Sequence, residues 1–401
     1  MADAPYQAPT AMKKRTRVTH LPDVEVPSDN RALVAPIYQS VKFTFDDVAE
    51  TERYYQGRRA GFYYSRVSNP TLRQLENALA EMQGRDGCLL TGSGMAAISA
   101  TLIALCKQGD HVVYFAEMYQ PTRSLIRRVL GRFGVTSSLL SIDDLGGLER
   151  VLGDRPVRVI VFESPTNPVL KVADIARITG LARRHGALTL LDNTLAGPHS
   201  HGELDIDLYV HSLTKYVSGH GDVMGGAIIG RAELIQAMRS DLTVLGPTLD
   251  PHAAFLLLRG LRSFFVRRDA QCRGAQRIAE FLRAHPSVER VSYPGLADDP
   301  GHDRAARQME DFGSIVSFDI AGGLAAGSRF AEALTLFAIA ASLGSTESLV
   351  VAPEMQQPRD LTPEQRLWSA IGPGTVRLSV GIEDPDDLIA DLAQALGRSQ
   401  A

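Results

Sequence analysis

The sequence predicts an α/β protein with a mostly parallel sheet in a large domain, followed by a smaller C-terminal α/β domain. Short apolar runs alternate with amphipathic stretches as far as about residue 255, which is the pattern of βαβ units. Most of these runs are rich in Val, Ile and Leu and do not alternate between apolar and polar residues, as expected of strands that helices cover on both faces. Beyond residue 255 a long helical stretch begins, and strands and helices then mix. We therefore predict domains at 63–255 and 256–401, preceded by an N-terminal arm at 1–62.

The arm is predicted from composition, and the first helix from its capping residues. Residues 1–62 are rich in proline and polar residues without a long period, so we expect them to extend onto a neighbouring subunit. Asn69 is a preferred N-cap and Pro70 suits the first helical position, so a helix begins there. Gly84 is expected to close it. Its apolar positions recur at helical spacing: Leu72, Leu75, Leu79 and Met82.

The remaining elements follow from the alternation of apolar runs and amphipathic stretches. The predicted strands of the large domain are Cys88–Leu90, His111–Phe115, Val157–Phe162, Ala187–Leu191 and Leu208–His211. Its predicted helices cover 94–106, 121–133, 143–152 and 172–185. The C-terminal domain contains a helical stretch over 252–284 and then Val288–Tyr293, Ser314–Ile320, Arg329–Ala341, Thr375–Val380 and Pro385–Leu396. Ligands of such sheets bind beyond the carboxyl ends of the strands, where Glu163, Asp192 and Ser212 stand.

Composition argues against several classes of function. A net charge of −4 gives no reason to expect nucleic acid or an anionic membrane as a partner. No apolar run approaches the roughly 18 residues of a membrane span. Three scattered cysteines, Cys88, Cys106 and Cys272, indicate neither a disulfide framework nor a zinc site. We therefore expect a cytoplasmic protein with reduced thiols and no bound metal.

Lys215 is the most informative residue of the chain. It follows the apolar run Leu208–His211 and precedes a cluster of small and apolar residues. Burial disfavours the charged form of an ammonium and lowers its pKa, and the neutral amine is the form that a Schiff-base lysine requires. Asp192 ends another apolar run, where its carboxylate can hold a proton on a pyridine nitrogen. Together the two residues predict pyridoxal 5′-phosphate (PLP) as the cofactor.

The glycine-rich stretch Gly92–Ala97 allows two interpretations. It follows a predicted strand and opens a helix, where backbone amides and the helix dipole favour a phosphate. It also matches the dinucleotide pattern G-x-G-x-x-A, and Glu117 stands about 20 residues further on, as that pattern requires. The stretch alone therefore leaves a PLP enzyme and an NAD-dependent oxidoreductase equally open, with a plain tight turn as a third possibility. Lys215 and Asp192 favour the PLP enzyme, because a dinucleotide enzyme has no use for both.

Polar residues near these positions can complete an anion site. Ser212 and Thr214 flank the approach to Lys215 with two hydroxyls. Arg66 is a bidentate phosphate donor if it faces the site, and an exposed loop charge if it does not.

Tyr119 and Arg377 are further candidates. Tyr119 follows the strand His111–Phe115, where its ring can stack on a pyridine or belong to the core. Arg377 is a lone arginine in a β-type run, where it binds a carboxylate if it points inward. His211 and His220 are expected to be structural.

The candidates fall within ordered stretches that span the chain from about residue 33 to 397. These are Tyr64–Thr71, Ser93–Met95, Glu163–Pro168, Asp192–Thr194, Ser212–Lys215, Ser342–Gly344 and Arg377–Asp384. In this order they resemble the family of PLP enzymes of cysteine and methionine metabolism, which includes cystathionine lyases and synthases, methionine γ-lyase and homoserine sulfhydrylases. The resemblance implies the PLP-dependent transferase fold type I. It also implies a homotetramer, a dimer of dimers with shared active sites.

The resemblance implies a role for each matching residue. The cofactor would be bound by Tyr64, Arg66, Gly94, Met95, Tyr119, Asn167, Asp192, Ser212, Thr214 and Lys215, with Tyr64 and Arg66 reaching the phosphate of the neighbouring subunit. The substrate carboxylate would be bound by Asn167, Ser342 and Arg377. Catalysis would fall to Lys215 as Schiff-base lysine and general base, Asp192 at the ring nitrogen and Tyr119 stacked on the ring.

Departures from the family pattern bear on the substrate, a sulfur amino acid. Pro121 resembles the cystathionine β-lyase branch, whereas Ser218–Asp222 resembles methionine γ-lyase. Ala341 stands where cystathionine γ-lyases and γ-synthases tend to have glutamate. Leu195 and Gly197 replace an aromatic residue and a threonine, which opens space near the cofactor. The leading hypothesis is a carbon–sulfur lyase that acts by α,β-elimination, with cystathionine as substrate and pyruvate, ammonia and a thiol as products.

Three alternatives remain open at this point. One is γ-elimination or γ-replacement, as in methionine γ-lyase or cystathionine γ-lyase and γ-synthase, for which the product 2-oxobutyrate would be diagnostic. The second is the NAD-dependent oxidoreductase, and the third is a scaffold that has lost turnover.

Overall fold

The compact unit that begins at Tyr38 contains two β-sheets, one of seven strands and one of five. The computed structural model describes residues 32–399, so the first half of the expected arm, residues 1–31, lies outside the described residues. The proposed division at 62/63 and 255/256 stays a prediction.

The larger sheet is parallel except at one strand. Its strands are β1 (Gly87–Thr91), β2 (His111–Phe115), β3 (Thr136–Leu140), β4 (Val159–Glu163), β5 (Leu188–Asp192), β6 (Leu208–Ser212) and β7 (Gly226–Gly230). Their order is β1-β7-β6-β5-β4-β2-β3, and β7 runs antiparallel to both of its neighbours. The predicted mostly parallel sheet is therefore confirmed. Sequence analysis missed β3 and β7.

Helices accompany the larger sheet along the chain. They are α1 (Val48–Tyr55), α2 (Pro70–Met82), α3 (Gly94–Leu105), α4 (Gln120–Ser124), α5 (Leu145–Asp154), α6 (Ile175–Arg184), α7 (Ala232–Leu245) and α8 (Pro251–Leu261). The Asn69 cap is present, because the Thr71 N–H donates to Asn69 Oδ1 at 2.9 Å. The helix expected over 121–133 consists instead of α4, a π-helical turn at Leu125–Val129 and a 3₁₀ turn at Leu130–Phe133.

The smaller sheet is antiparallel except at its β10–β11 edge. Its strands are β8 (Val288–Ser292), β9 (Ile315–Ile320), β10 (Ala338–Ile339), β11 (Leu349–Val351) and β12 (Thr375–Ser379), in the order β10-β11-β12-β9-β8. The accompanying helices are α9 (Phe264–Ala284), α10 (His302–Gln308), α11 (Gly323–Ala333), α12 (Pro353–Gln356), α13 (Pro363–Ser369) and α14 (Pro385–Ser399). The helical stretch expected over 252–284 is two helices, α8 and α9.

Each sheet has its own hydrophobic core. In the larger one, β2 and β4 are buried along their whole length, as their unbroken apolar sequences predict. Parallel pairing then brings the carboxyl ends of β4, β5 and β6 together, with Glu163 beside Asp192 in register. Between residues 32 and 399, no helix combines the length and apolar character needed to span a bilayer.

Candidate active site

A cavity of about 650 Å³ opens at the carboxyl ends of β4, β5 and β6. All but two of the predicted site residues line it: Gly94, Met95, Tyr119, Asn167, Asp192, Ser212, Thr214, Lys215, Ser342 and Arg377. Both sheets contribute, because Arg377 belongs to β12 while Asp192 ends β5.

Lys215 lines the cavity from the segment that follows β6. Its Nζ donates a hydrogen bond of 2.7 Å to the Ser342 hydroxyl. Burial and the nearby Arg377 guanidinium lower the pKa of this amine to about 8, although the Asp192 carboxylate acts to raise it. A large fraction of the amine is therefore neutral near pH 8, and a neutral amine can attack a carbonyl or accept a proton.

Asp192 and Glu163 place two carboxyl groups at neighbouring strand ends. Burial raises the pKa of Asp192, although hydrogen bonds from Thr194 and the charge of Lys215 lower it. Burial and the charge of Asp192 together raise the pKa of Glu163 well above its usual range. Burial therefore opposes ionisation of both carboxyl groups, and the charge of Asp192 adds to this effect at Glu163.

Arg377 is suited to binding a carboxylate. Its side chain is buried, Nη1 donates to Asn167 Oδ1 at 2.8 Å, and Nη2 donates to the Ser342 carbonyl at 2.7 Å. Burial lowers the pKa of Arg377 to about 10, so the guanidinium is charged at neutral pH. The buried Nε has no hydrogen-bond partner among the described residues, which leaves a donor for a ligand.

Gly94 and Ser212 meet where α3 begins. A Cβ atom on Gly94 would lie 2.7 Å from the Ser212 Cβ and 3.1 Å from its Oγ, so only glycine fits there. The first amides of a helix have no intrahelical partner. Those at Gly94 and Met95, with the hydroxyls of Ser212 and Thr214, form a cradle suited to a phosphate.

Tyr119 is positioned by Glu163. Its side chain is 45% exposed and lines the cavity just before α4. The backbone N–H of Tyr119 donates to Glu163 Oε2 at 2.9 Å. Sequence analysis placed Glu163 at the strand end without a role, and the structure shows that it holds the backbone of Tyr119.

The donor set as a whole fits PLP. The cavity combines the phosphate cradle with an amine of lowered pKa and with Asp192, a carboxylate suited to the ring nitrogen. Glu117, by contrast, does not suit a dinucleotide ribose. It is fully buried and accepts hydrogen bonds from the Ser141 hydroxyl at 2.9 Å, the Ile142 N–H at 3.0 Å and Lys171 Nζ at 3.0 Å.

Comparison with known families agrees with this chemistry. A family model for Cys/Met metabolism PLP-dependent enzymes matches residues 16–397. The chain belongs to this family. It is therefore a PLP-dependent enzyme of the carbon–sulfur lyase type, and the predicted cofactor, fold and enzyme class are confirmed.

Named relatives and solved structures match over most of their length. An L-methionine gamma-lyase of Pseudomonas putida is 43% identical over 374 residues, which is 92% of this chain and 93% of that protein. The chloroplastic cystathionine gamma-synthase 1 of Nicotiana tabacum is 38% identical over 367 residues, covering 91% of this chain and 68% of that protein. The crystal structure of cystathionine gamma synthase from Xanthomonas oryzae pv. oryzae with aminoacrylate and cysteine has a TM-score of 0.86 and 36% identity, covering 92% and 94%.

Tyr64 and Arg66 lie outside the cavity of this PLP enzyme. Arg66 is exposed, and its Nη1 donates to the Thr243 carbonyl at 2.7 Å. Its guanidinium lies 5.5 Å from the centre of the Tyr64 ring. That both residues reach the phosphate site of a neighbouring subunit stays a prediction.

Sequence reasoning missed one wall of the cavity. This wall contains Arg123 of α4 together with Met355, Gln356 and Pro358 around α12. Pro121, which also lines the cavity, was noted from the sequence as a departure from the family pattern. Met355 is 51% exposed, and no local sequence pattern distinguishes it from an ordinary surface residue.

Proposed function

We propose that this PLP-dependent lyase catalyses γ-elimination of a methionine-like thioether amino acid, with a thiol, ammonia and 2-oxobutyrate as products. This reverses the order of the hypotheses drawn from the sequence, where β-elimination of cystathionine came first. The named relatives support the change, because they are methionine γ-lyases and cystathionine γ-synthases. They favour the γ-alternative over the β-elimination.

The choice of methionine over cystathionine as substrate rests on the acidic and basic residues that line the cavity. The Asp, Glu, Lys and Arg residues of the described lining are Glu117, Arg123, Glu163, Asp192, Lys215 and Arg377. Glu117 and Arg123 are paired within the chain, and Glu163 accepts from the Tyr119 N–H. If Asp192 and Lys215 serve the cofactor, the described lining residues leave only Arg377 for the substrate.

Cystathionine would need charged partners at both of its ends, and the described wall offers only Arg377. It has an ammonium and a carboxylate at each end, whereas methionine has one such pair. Ala341, where the resemblance indicates glutamate in cystathionine γ-enzymes, supplies no charge. Apolar side chains suited to a thioether are also part of the lining: Pro121, Met224, Leu343, Val351, Met355, Pro358 and Ile371.

The proposed roles follow from the positions of the side chains. Bound PLP supplies an electron sink for a carbanion at the substrate Cα, with Asp192 holding a proton at its ring nitrogen. Arg377 binds the substrate carboxylate with Ser342 and Asn167. Lys215, lying beside Ser342, removes the Cα proton as general base.

γ-Elimination also requires a proton to move at Cβ. Lys215 and Tyr119 are the two groups of the described wall that we assign to this transfer, and both line the cavity that would hold the cofactor.

The remaining proposals concern cofactor retention and assembly. The phosphate is held by Gly94, Met95, Ser212 and Thr214. The Tyr64 and Arg66 side chains of a neighbouring subunit complete this phosphate site. A homotetramer built as a dimer of dimers is supported by exposed aromatic side chains in the arm and directly after it: Tyr38, Tyr55 and Tyr63. We also propose a cytoplasmic location.

Identification of the keto acid product tests the proposed function. Cofactor-loaded enzyme with L-methionine should release 2-oxobutyrate and methanethiol, and cystathionine should be a poorer substrate. Lys215→Ala should form no keto acid above background. Pyruvate from cystathionine without 2-oxobutyrate from methionine would refute γ-elimination. Synthesis of cystathionine from an activated homoserine and cysteine, faster than any elimination, would instead show a γ-synthase.

A further inference from the structure

A buried ion pair joins two parts of the cavity wall. The side chains of Arg123 and Asp360 are 6% and 8% exposed. Arg123 Nε donates to Asp360 Oδ2 at 3.0 Å and Nη2 donates to Oδ1 at 2.6 Å, which is a bidentate pair. Arg123 Nη1 also donates to the carbonyls of Ala116 and Met118. The planar guanidinium is therefore held in one orientation.

The pair connects the helix beside Tyr119 to a segment near the smaller sheet. Arg123 lies in α4, which begins directly after Tyr119. Asp360 lies in segment 355–361, which supplies Met355, Gln356 and Pro358 to the cavity wall. Arg127, in the π-helical turn, also contacts Asp360, because its Nη1 donates to the Asp360 carbonyl at 2.9 Å. A π-turn inserted in a helix is frequently found at a functional site.

Segment 355–361 is anchored at its two ends. Near the first end, Gln356 Nε2 donates to the Val351 carbonyl at 3.0 Å and the Thr375 carbonyl at 2.9 Å. Near the second end, Asp360 is held by Arg123. Burial acts to raise the pKa of Asp360, but the hydrogen bond and charge of Arg123 lower it below its usual range. The pair is therefore ionised at neutral pH.

The position of this segment limits the space for the substrate side chain. Arg377 and Lys215 fix the carboxylate and Cα at the polar part of the cavity, so a thioether must extend toward the apolar wall. Met355 and Pro358 belong to that wall. An outward movement of the segment would make room for longer alkyl groups on sulfur, and the ion pair opposes such a movement.

We propose that the Arg123–Asp360 pair fixes segment 355–361 and thereby sets the length of the S-alkyl group that the enzyme accepts. The inference rests on the proposed γ-elimination of a thioether substrate. It assigns Arg123 and Asp360 a specificity-determining role without direct contact with the reacting atoms.

A series of S-alkyl homocysteines, from S-methyl (methionine) to S-butyl, tests this inference with cofactor-loaded enzyme. Asp360→Asn removes the charge and keeps the shape of the side chain. In this variant, the ratio of kcat/KM for S-butyl over S-methyl homocysteine should rise about tenfold, the effect of loosening an apolar pocket by roughly one methylene. The KM for methionine should rise more than kcat falls. Hydrogen exchange of residues 355–361, measured without substrate, should become faster.

Asp298→Asn is the matched control. It removes the carboxylate that Arg283 contacts at 2.7 Å, at a place outside the cavity wall. Its substrate ratio and its exchange in residues 355–361 should equal those of the wild type. The double variant Arg123→Met with Asp360→Leu removes both charges, and therefore tests the same ratio if Asp360→Asn does not fold.

The outcomes separate this inference from the proposed function. If the wild type forms 2-oxobutyrate but the Asp360→Asn and double variants keep the wild-type ratio, or exchange in residues 355–361 is unchanged, the role of the ion pair is refuted. If the wild type forms no 2-oxobutyrate from any homologue, the proposed function fails, and the exchange measurement alone decides whether the pair holds the segment.

Discussion

Gly94→Ala tests the phosphate cradle through a contact that the structure measures directly. The alanine Cβ would lie 2.7 Å from the Ser212 Cβ, and ordinary contact begins at 3.4 Å. Either the start of α3 or Ser212 must therefore shift by several tenths of an ångström. A shift of this size lengthens hydrogen bonds of about 2.9 Å toward the limit at which they weaken steeply. Each charge-assisted bond lost costs about 1.5–3 kcal/mol, so cofactor binding should weaken by roughly ten- to a hundredfold.

The assay is a titration of cofactor-free protein with PLP, followed by absorbance, for the wild type and the variant. Gly180→Ala is the matched control, because a Cβ atom there meets nothing within 4 Å inside α6. The control should keep wild-type affinity and gain up to about 1 kcal/mol of stability from helix propensity. Equal PLP affinity for Gly94→Ala and the wild type would refute the assignment of this cradle to the phosphate.

Two further predictions concern the polar part of the cavity. Burial lowers the pKa of Lys215 from 10.5 to about 8 in the folded, cofactor-free protein, so the unfolded chain binds more protons between these values and stability rises with pH across that window. Lys215→Met should abolish this rise and increase the free energy of unfolding at pH 7 by on the order of 3 kcal/mol, measured by denaturant unfolding; identical pH slopes for the two proteins would contradict it. Arg377→Ala should raise the KM for methionine on the order of a hundredfold with a smaller change in kcat, and an unchanged KM would remove Arg377 from the substrate site.

The larger sheet shows which parts of the fold local sequence can predict. The strand His111–Phe115 was predicted to the residue, because an unbroken apolar run has no other stable place than between two layers of helices. Strand β7 was missed because the glycines at its ends, Gly226 and Gly230, are typical of turns. At Gly230 glycine is required by packing, since a Cβ atom would lie 2.7 Å from the Asp207 carbonyl oxygen.

In the site, too, residues with a local sequence pattern could be predicted, and contacts between positions far apart in the sequence could not. Asp192 and Lys215 could be predicted because each stands where an apolar strand ends, and such ends converge in a parallel sheet. The contact between Arg123 and Asp360 could not, because it joins positions 237 residues apart that have no distinctive local pattern. The sequence placed β-elimination first because of departures from the family pattern at Pro121 and Ala341, whereas the named relatives favour γ-elimination.

The central claim is that Lys215 is the amine that engages PLP. Borohydride reduction of the cofactor-loaded enzyme, followed by digestion and mass spectrometry of the peptides, tests it most directly. We expect a single pyridoxyl label, on Lys215. A label on any other lysine, or a reduced protein that releases all of its cofactor on denaturation, would contradict the claim.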